Sequence, residues 1–441
     1  HQRRVRARRG ELGADVLAQM EPLQDIGRIL DQLRDVTELR TLLLCHQDFS
    51  LWGLSDIRPS LQQVRVAGAL LSTQELLQIR DFLSGLSRVR SYLLELAEEF
   101  PSLAARAEGL VPFPRVVGEI SRCVTDGGEI ADDATPRLRR LRRSLREARQ
   151  RVLAFLEGVM REKPFLVQES VVTLRNDRYV IPLKPDFRKH IKGIAHDRSS
   201  SGATVFVEPE EAVRLNDQLI QFRHEEEDEV YRILRGLTET VRVDREGIWR
   251  DAELMGELDC LLVKARYSIR HRCIEPMVTT SPCVRLNQAR HPLLLERDHL
   301  TSPVPGDEAH TVVPIDIEVG QEFRTLLITG PNTGGKTVAL KTLGLLCAMA
   351  LAGMHIPAGD GSEVGVFSDI LADIGDEQSV EQNLSTFSSH MVQIRHVLER
   401  ADGRSLVLLD ELGAGTDPSE GAALGVAILD ALHARGVRVV A

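Results

Sequence analysis

Aromatic residues make up only 4% of this 441-residue chain, a scarcity that argues against rows of stacked rings as a nucleic-acid platform. No stretch of 18 uncharged apolar residues occurs. The nearest, Val338 to Met354, is interrupted by Lys341, which argues against a membrane-spanning helix. None of the six cysteines (Cys45, Cys123, Cys260, Cys273, Cys283, Cys347) forms a Cys-x-x-Cys pair. They read as scattered reduced thiols of a cytoplasmic protein rather than a disulfide frame or a zinc site, and His271 near Cys273 has no second ligand pair. Excess positive charge is lacking too. Lys and Arg number 55 against 65 Asp and Glu, leaving −10, so any contact with nucleic acid has to come from a local basic patch. The opening HQRRVRARRG lacks the apolar core of a signal peptide and an initiating Met, so the chain is expected to begin inside a longer protein.

What is present suits two to four domains at roughly 100–200 residues each, with 43% hydrophobic residues to build cores. Residues 1–130 read as a helical core domain, with Leu17, Met20, Leu23, Ile26, Ile29 and Leu30 at spacings of three and four. Breaks fall at Pro59, Pro101, Pro112 and Pro114, and the cluster Arg3, Arg4, Arg6, Arg8, Arg9 reads as a solvated helix face. Residues 131–163 form a first long helix with the stripe Leu138, Leu141, Leu145, Ala148, Val152 and Phe155. Residues 210–250 form a second, with Leu215, Leu219, Phe222, Val230, Ile233, Leu237 and Val241. An antiparallel hairpin centred near residue 186 sets Arg143 opposite Glu229 and Arg146 opposite Glu226. On that reading the arginines specify register between the arms rather than hold DNA.

Between the arms, residues 164–209 are β-rich. Val171–Leu174 and Tyr179–Ile181 are joined by Asn176-Asp177-Arg178, and Gly193–His196 is followed by Thr204–Val207. From Arg175 to Arg198 the balance is +4, from Arg175, Arg178, Lys184, Arg188, Lys189, Lys192 and Arg198 against Asp177, Asp186 and Asp197. This small sheet is a candidate phosphate contact, and a solvated surface stands beside it as the alternative. Residues 251–318, rich in proline, read as a junction of helix and loops.

Residues 319–441 carry the chemistry. Phe323–Thr329 is a buried-strand run leading into Gly330-Pro331-Asn332-Thr333-Gly334-Gly335-Lys336-Thr337, and an apolar helix follows with Val338, Leu340, Leu343 and Leu346. This is the G-x-x-x-x-G-K-[ST] phosphate loop in strand–loop–helix context. Its glycines let backbone N–H groups wrap a phosphate, Lys336 reaches the β- and γ-phosphates, and the Thr337 hydroxyl ligates Mg²⁺. Leu406–Leu409 is an apolar strand ending in Asp410 and Glu411, 74 residues after Lys336 (410 − 336). Asp410 is placed to hold the Mg²⁺ and Glu411 to deprotonate the attacking water. Ser385 opens a helix bearing Met391, Ile394, Val397 and Leu398, as a helix cap and as an anion site.

GPNTGGKT at 330–337, STFSSHM at 385–391 and LDELGAGTDP at 409–418 together resemble the MutS ATPases, closest to the type-two bacterial branch, whose full-length members end in an Smr nuclease domain. LSDIRP at 54–59, VVTLRNDRYVIP at 171–182, HDRSSSGATVFVEP at 196–209 and ADIGDEQSVEQ at 372–382 look like this branch as well. The resemblance implies an ABC-like α/β ATPase domain behind an all-α core with a lever coiled coil and a small β clamp. It implies ATP and Mg²⁺ as cofactors, Gly330 to Thr337 as the ATP loop, Asp410 as the Mg²⁺ aspartate and Glu411 as the hydrolytic base. Ser385 becomes a contact to the opposite subunit's γ-phosphate in a homodimer, and Gly413 to Asp417 would lie at the dimer contact. The implied roles are binding of branched DNA to restrain recombination, with endonuclease activity in full-length members, and splitting of collided ribosomes through rRNA.

Three departures from the family stand out. The mismatch-reading Phe-x-Glu tripeptide occurs only at Phe155–Glu157 and Phe206–Glu208, inside lever and clamp. The chain stops at Ala441 before the family's switch histidine. No Smr domain is present. A mismatch-repair recogniser and a ribosome-acting ATPase without a DNA role are the rival readings.

Overall fold

The computed structural model describes residues 12–46, 49–51, 54–301, 312–331, 334–375, 386–413 and 416–441. In chain order the helices are α1 (Ala14–Ala18), α2 (Ile26–Cys45), α3 (Arg58–Gln63), α4 (Thr73–Glu95), α5 (Pro101–Glu108), α6 (Pro114–Cys123), α7 (Pro136–Glu162), α8 (Glu210–Val243), α9 (Arg245–Arg270), α10 (Pro292–Thr301), α11 (Lys336–Leu351), α12 (Thr386–Arg400) and α13 (Pro418–Ala434). The strands are β1 (Thr173–Arg175), β2 (Arg178–Leu183), β3 (Gly193–Arg198), β4 (Val205–Pro209), β5 (Met277–Thr279), β6 (Val284–Ala289), β7 (Ile315–Val319), β8 (Thr325–Leu326), β9 (Glu363–Gly365), β10 (Ile370–Asp373), β11 (Leu406–Leu409) and β12 (Arg438–Val440). Pro59, Pro101, Pro114 and Pro136 each stand in a first helical turn, where the missing N–H has no intrahelical partner to lose. Among the described residues no helix is long and apolar enough to cross a membrane.

The chain divides into two compact units, Leu54–Ser87 with Val111–Ala252, and His1–Gly53 with Arg88–Leu110 and Glu253–Ala441. In the first of these, α7 begins at the cap Thr135, whose hydroxyl accepts the Leu138 N–H at 3.0 Å. Its buried stripe is Leu138, Leu141, Ala148, Val152, Leu156 and Met160. It runs antiparallel to α8, but not in the expected register. Arg142 pairs with Glu226 at 2.7 Å, while Glu229 meets the Thr135 hydroxyl at 2.7 Å and Arg137 at 3.7 Å. Arg143 instead faces Glu147 on its own helix at 3.6 Å, and Arg146 faces Asp132 at 3.5 Å. The reason is angular. At about 100° per residue, Arg143 and Arg146 point away from the Leu138–Leu141 face, whereas Arg142 flanks it. α8 also ends at Val243, and a separate helix, α9, begins at Arg245.

The small sheet has the order β1-β2-β4-β3. Asn176 and Asp177 sit at φ 49° and 62°, the left-handed pair that a tight hairpin between β1 and β2 requires. Its apolar face (Ile181, Leu183, Val205, Val207) shares a core with Val152, Leu156 and Met160.

The other unit contains two sheets. One is wholly parallel, in the order β10-β11-β12-β8. Successive residues of β11 serve opposite layers. Leu406 and Leu408 pack with Leu340, Leu343 and Leu346 of α11, while Val407 and Leu409 pack with Ile394, Val397, Ile428 and Leu432 of α12 and α13. Burial on both faces is why this strand is an unbroken apolar run. The second sheet, β5-β9-β6-β7, lies largely in the stretch expected to be helix and loops. Its short, proline-flanked strands become recognisable only when Glu363–Gly365 arrives to pair with two of them.

Beyond the carboxyl end of α11, the buried Lys264 donates to the Ala352 carbonyl at 2.7 Å, where a cation suits the helix dipole. Nearby His355 is buried between the Ser268 hydroxyl (Nδ1, 2.8 Å) and the Thr37 hydroxyl (Nε2, 3.0 Å), and burial pushes its imidazole down to about 4. Its ordinary value is near 6.5, so between about pH 6.5 and 4 the unfolded chain takes up a proton that the folded chain refuses. Stability present above pH 6.5 is therefore lost as pH falls, by on the order of 1–3 kcal/mol at pH 4. Denaturant titrations at pH 7 and 4.5 are expected to show a smaller pH-dependent loss in His355→Gln than in the parent; equal losses would remove His355 from that role.

Candidate nucleotide site

The candidate site lies at the carboxyl ends of the parallel strands. β8 is shorter than the expected run from Phe323 to Thr329 and forms an edge of its sheet. Leu327 is 58% exposed, although Ile328 N–H still donates to the Ala441 carbonyl at 2.7 Å. The chain then turns through Gly330 (φ 149°) and Gly335 (φ 82°), and α11 starts at Lys336 with Gly335 as its left-handed cap. A Cβ on either glycine would meet nothing within 4 Å, so both are demanded by backbone conformation and leave the loop face open. Asn332 and Thr333 lie outside the described residues, as does Ser385.

The Lys336 ammonium folds back to donate to the Gly330 carbonyl. The Thr337 hydroxyl donates to Asp410 Oδ2 at 2.5 Å, so two residues 73 apart in sequence meet at the mouth of the loop. Asp410 follows directly on β11, and its other oxygen accepts the Glu411 N–H at 3.1 Å. Glu411 holds a left-handed conformation, φ 48°, uncommon for a residue with a side chain and typical of functional turns. The structure thus brings Gly330, Pro331, Gly334, Gly335, Lys336, Thr337, Asp410 and Glu411 to one end of the parallel sheet, from β8 and β11 with β12 between them. A hydroxyl and a carboxylate oxygen side by side are hard donors of the kind Mg²⁺ prefers, and an ammonium next to a glycine cradle suits a polyphosphate. The residues present fit a Mg²⁺–nucleotide.

Beyond Glu411 the chain closes on itself. Gly413 has φ 84°, and a Cβ there would fall 2.3 Å from the Gly421 carbonyl oxygen; a Cβ on Gly421 would fall 2.3 Å from that of Gly413. Asp417 caps α13 by accepting the Ser419 N–H at 2.9 Å, and the Ser419 hydroxyl and amide hold its carboxyl below the usual range.

Sequence reasoning missed two residues here. Asp373, at the end of β10, accepts the Asp410 N–H on its carbonyl at 2.9 Å, and its carboxylate meets His390 Nδ1 of α12 at 2.9 Å. Both lie in stretches that carry the family likeness, but 17 residues separate them and no local spacing pairs them.

Residues 326–440 match the family described as MutS domain V, which places this site in an ATPase-type domain of the MutS kind. Similar proteins extend the match over the chain. Endonuclease MutS2 of Geobacillus sp. (strain WCH70) is 44% identical over 435 residues, 98% of this chain and 54% of that protein. Those of Bacillus velezensis and Pelotomaculum thermopropionicum are each 43% identical, over 98% of this chain and 54% and 53% of their own length. The chain belongs to the MutS family, in its type-two branch, and spans about half the length of the curated relatives it matches.

Proposed function

We propose that this chain supplies the ATPase of a MutS2-type nucleic-acid-binding clamp. The observation that carries the reading is the Thr337–Asp410 contact at the mouth of the glycine loop, with Glu411 next in line. ATP with Mg²⁺ supplies a phosphoanhydride whose γ-phosphate water can attack. The loop from Gly330 to Thr337 binds the polyphosphate, Lys336 neutralises its charge, and Thr337 and Asp410 hold the metal. Glu411 takes the proton from the water. By family likeness the segment at Ser385 completes the site of a second copy, so that ATP drives two copies together and hydrolysis releases them.

The relatives' names, as endonucleases, support DNA as the partner, and branched DNA is the form the family likeness favours. The lever and clamp of the family correspond here to α7, α8 and the small sheet. Not all of the sheet's basic residues are available. Arg178 is tied to Glu208 at 2.8 Å and to Asp217, Arg188 donates to the Ile191 and Gly193 carbonyls, and Arg175 lies over the Phe206 ring beside Asp197. Lys189, Lys192 and Arg198 remain exposed without an ion-pair partner among the described residues, and these we assign to phosphate.

The test is made on the intact protein. ATP–Mg²⁺ is expected to bind and to double the mass in solution; uptake without a change of mass would overturn the clamp. For a four-way DNA junction, Lys189→Glu, Lys192→Glu and Arg198→Glu together are expected to lower the slope of log affinity against log salt by roughly 0.9 for each phosphate no longer neutralised. An unchanged slope would return the sheet to a solvated surface. Binding to ribosomes but not to the junction would favour the ribosome-acting reading.

A further inference from the structure

Asp373 ends β10, the strand beside the one that delivers Asp410. Its side chain is only 10% exposed, and both carboxylate oxygens face one group, His390 Nδ1, at 3.1 and 2.9 Å. Among the described residues no other side chain bonds to it. A carboxylate withdrawn from water requires such a partner, and the geometry makes Nδ1–H the donor. His390 lies in the second turn of α12, the helix that begins directly after Ser385. α12 packs on the sheet through the buried Ile394 and Val397, with Met391 and Leu398 partly buried against the same core. To that packing the polar pair adds one directional contact, in the second turn of the helix.

Those turns are linked to the candidate metal site by consecutive hydrogen bonds. Thr337 donates to Asp410 Oδ2 at 2.5 Å, the Asp410 N–H donates to the Asp373 carbonyl at 2.9 Å, and the Asp373 carboxylate accepts from His390. We infer that Asp373 and His390 are a positioning pair for ATP-driven closure: they align the first turns of α12 with the strand ends that carry the metal site, so that this helix end is presented correctly to a second copy of the chain. The inference rests on the proposed ATP-driven pairing. It assigns neither residue a contact with nucleotide in its own subunit, so binding and closure are separable.

The experiment compares intact wild type with Asp373→Asn, His390→Ala, the double variant, and His390→Asn, whose amide N–H can take the place of Nδ1–H. ATP affinity is expected to stay within threefold of wild type throughout; His390→Ala, which leaves the Asp373 carboxylate without its partner, is expected to unfold at a lower temperature, so every assay is run well below the unfolding transition of each variant. Steady-state turnover and ATP-driven doubling of mass are expected to fall at least tenfold in Asp373→Asn and His390→Ala. The double variant should lose no more than the worse single, and His390→Asn should recover at least half of the turnover. Near-normal turnover in either single variant, multiplied losses in the double, no recovery in His390→Asn, or an equal loss of ATP affinity would each overturn the inference. A wild type that takes up no ATP, or takes it up without doubling, fails the proposed function instead; a wild type that closes while the variants close equally well fails only the pair.

Discussion

Glu411→Gln in the intact protein is expected to keep ATP affinity within about threefold and to lower steady-state turnover by roughly 10²- to 10⁴-fold, the usual worth of a positioned general base. Three features support this size. Glu411 follows the residue that holds Thr337, its backbone is kept in a left-handed conformation at the strand end, and the turn beyond it makes the close Gly413–Gly421 approach. The amide is nearly isosteric and still polar, so binding of the polyphosphate by the loop is left intact while proton abstraction is removed. With hydrolysis stalled, the variant is expected to accumulate as an ATP-bound dimer, measured by mass in solution beside a turnover assay. Wild-type turnover in Glu411→Gln would remove the residue from the role of base.

Lys336→Ala is expected to act one step earlier. Charge-assisted hydrogen bonds contribute about 1.5–3 kcal/mol each, so losing the ammonium from the β- and γ-phosphates should weaken ATP binding by at least tenfold and by more than a hundredfold if two such bonds are removed. The fold should survive, because Lys336 is half-buried and its bond to the Gly330 carbonyl lies within the loop itself. Calorimetric titration with ATP–Mg²⁺, next to thermal unfolding, distinguishes the two effects. Unaltered ATP affinity would mean that the loop is not the nucleotide site. Because Lys336→Ala fails at binding and Glu411→Gln after it, the pair separates uptake from turnover.

How much of this was readable in the chain differs by element. The glycine loop, its helix and the Asp410–Glu411 strand end were legible because each is contiguous and its chemistry depends on neighbours in sequence. The hairpin between β1 and β2 was legible for the same reason, since Asn176 and Asp177 are residues that tolerate positive φ. The two long helices announced themselves through an apolar stripe, but their register did not, and pairing charges by symmetry about residue 186 chose Arg143 and Arg146 where the buried stripe selects Arg137 and Arg142. The sheet is less basic than its own segment suggests, because the acids that neutralise Arg178, Glu208 and Asp217, come from beyond Arg198 in the chain.

Residue order thus decided which groups are candidates to handle phosphate, because close backbone approach, a nearby ammonium and a strand-end carboxylate are properties of short segments. Folding decided which of those groups meet and which charges stay available. The Thr337–Asp410 contact, the β5-β9-β6-β7 sheet and the Asp373–His390 pair all join segments far apart in the chain. Such meetings depend on which apolar faces exclude water together, a property of the whole packed core that no local spacing records.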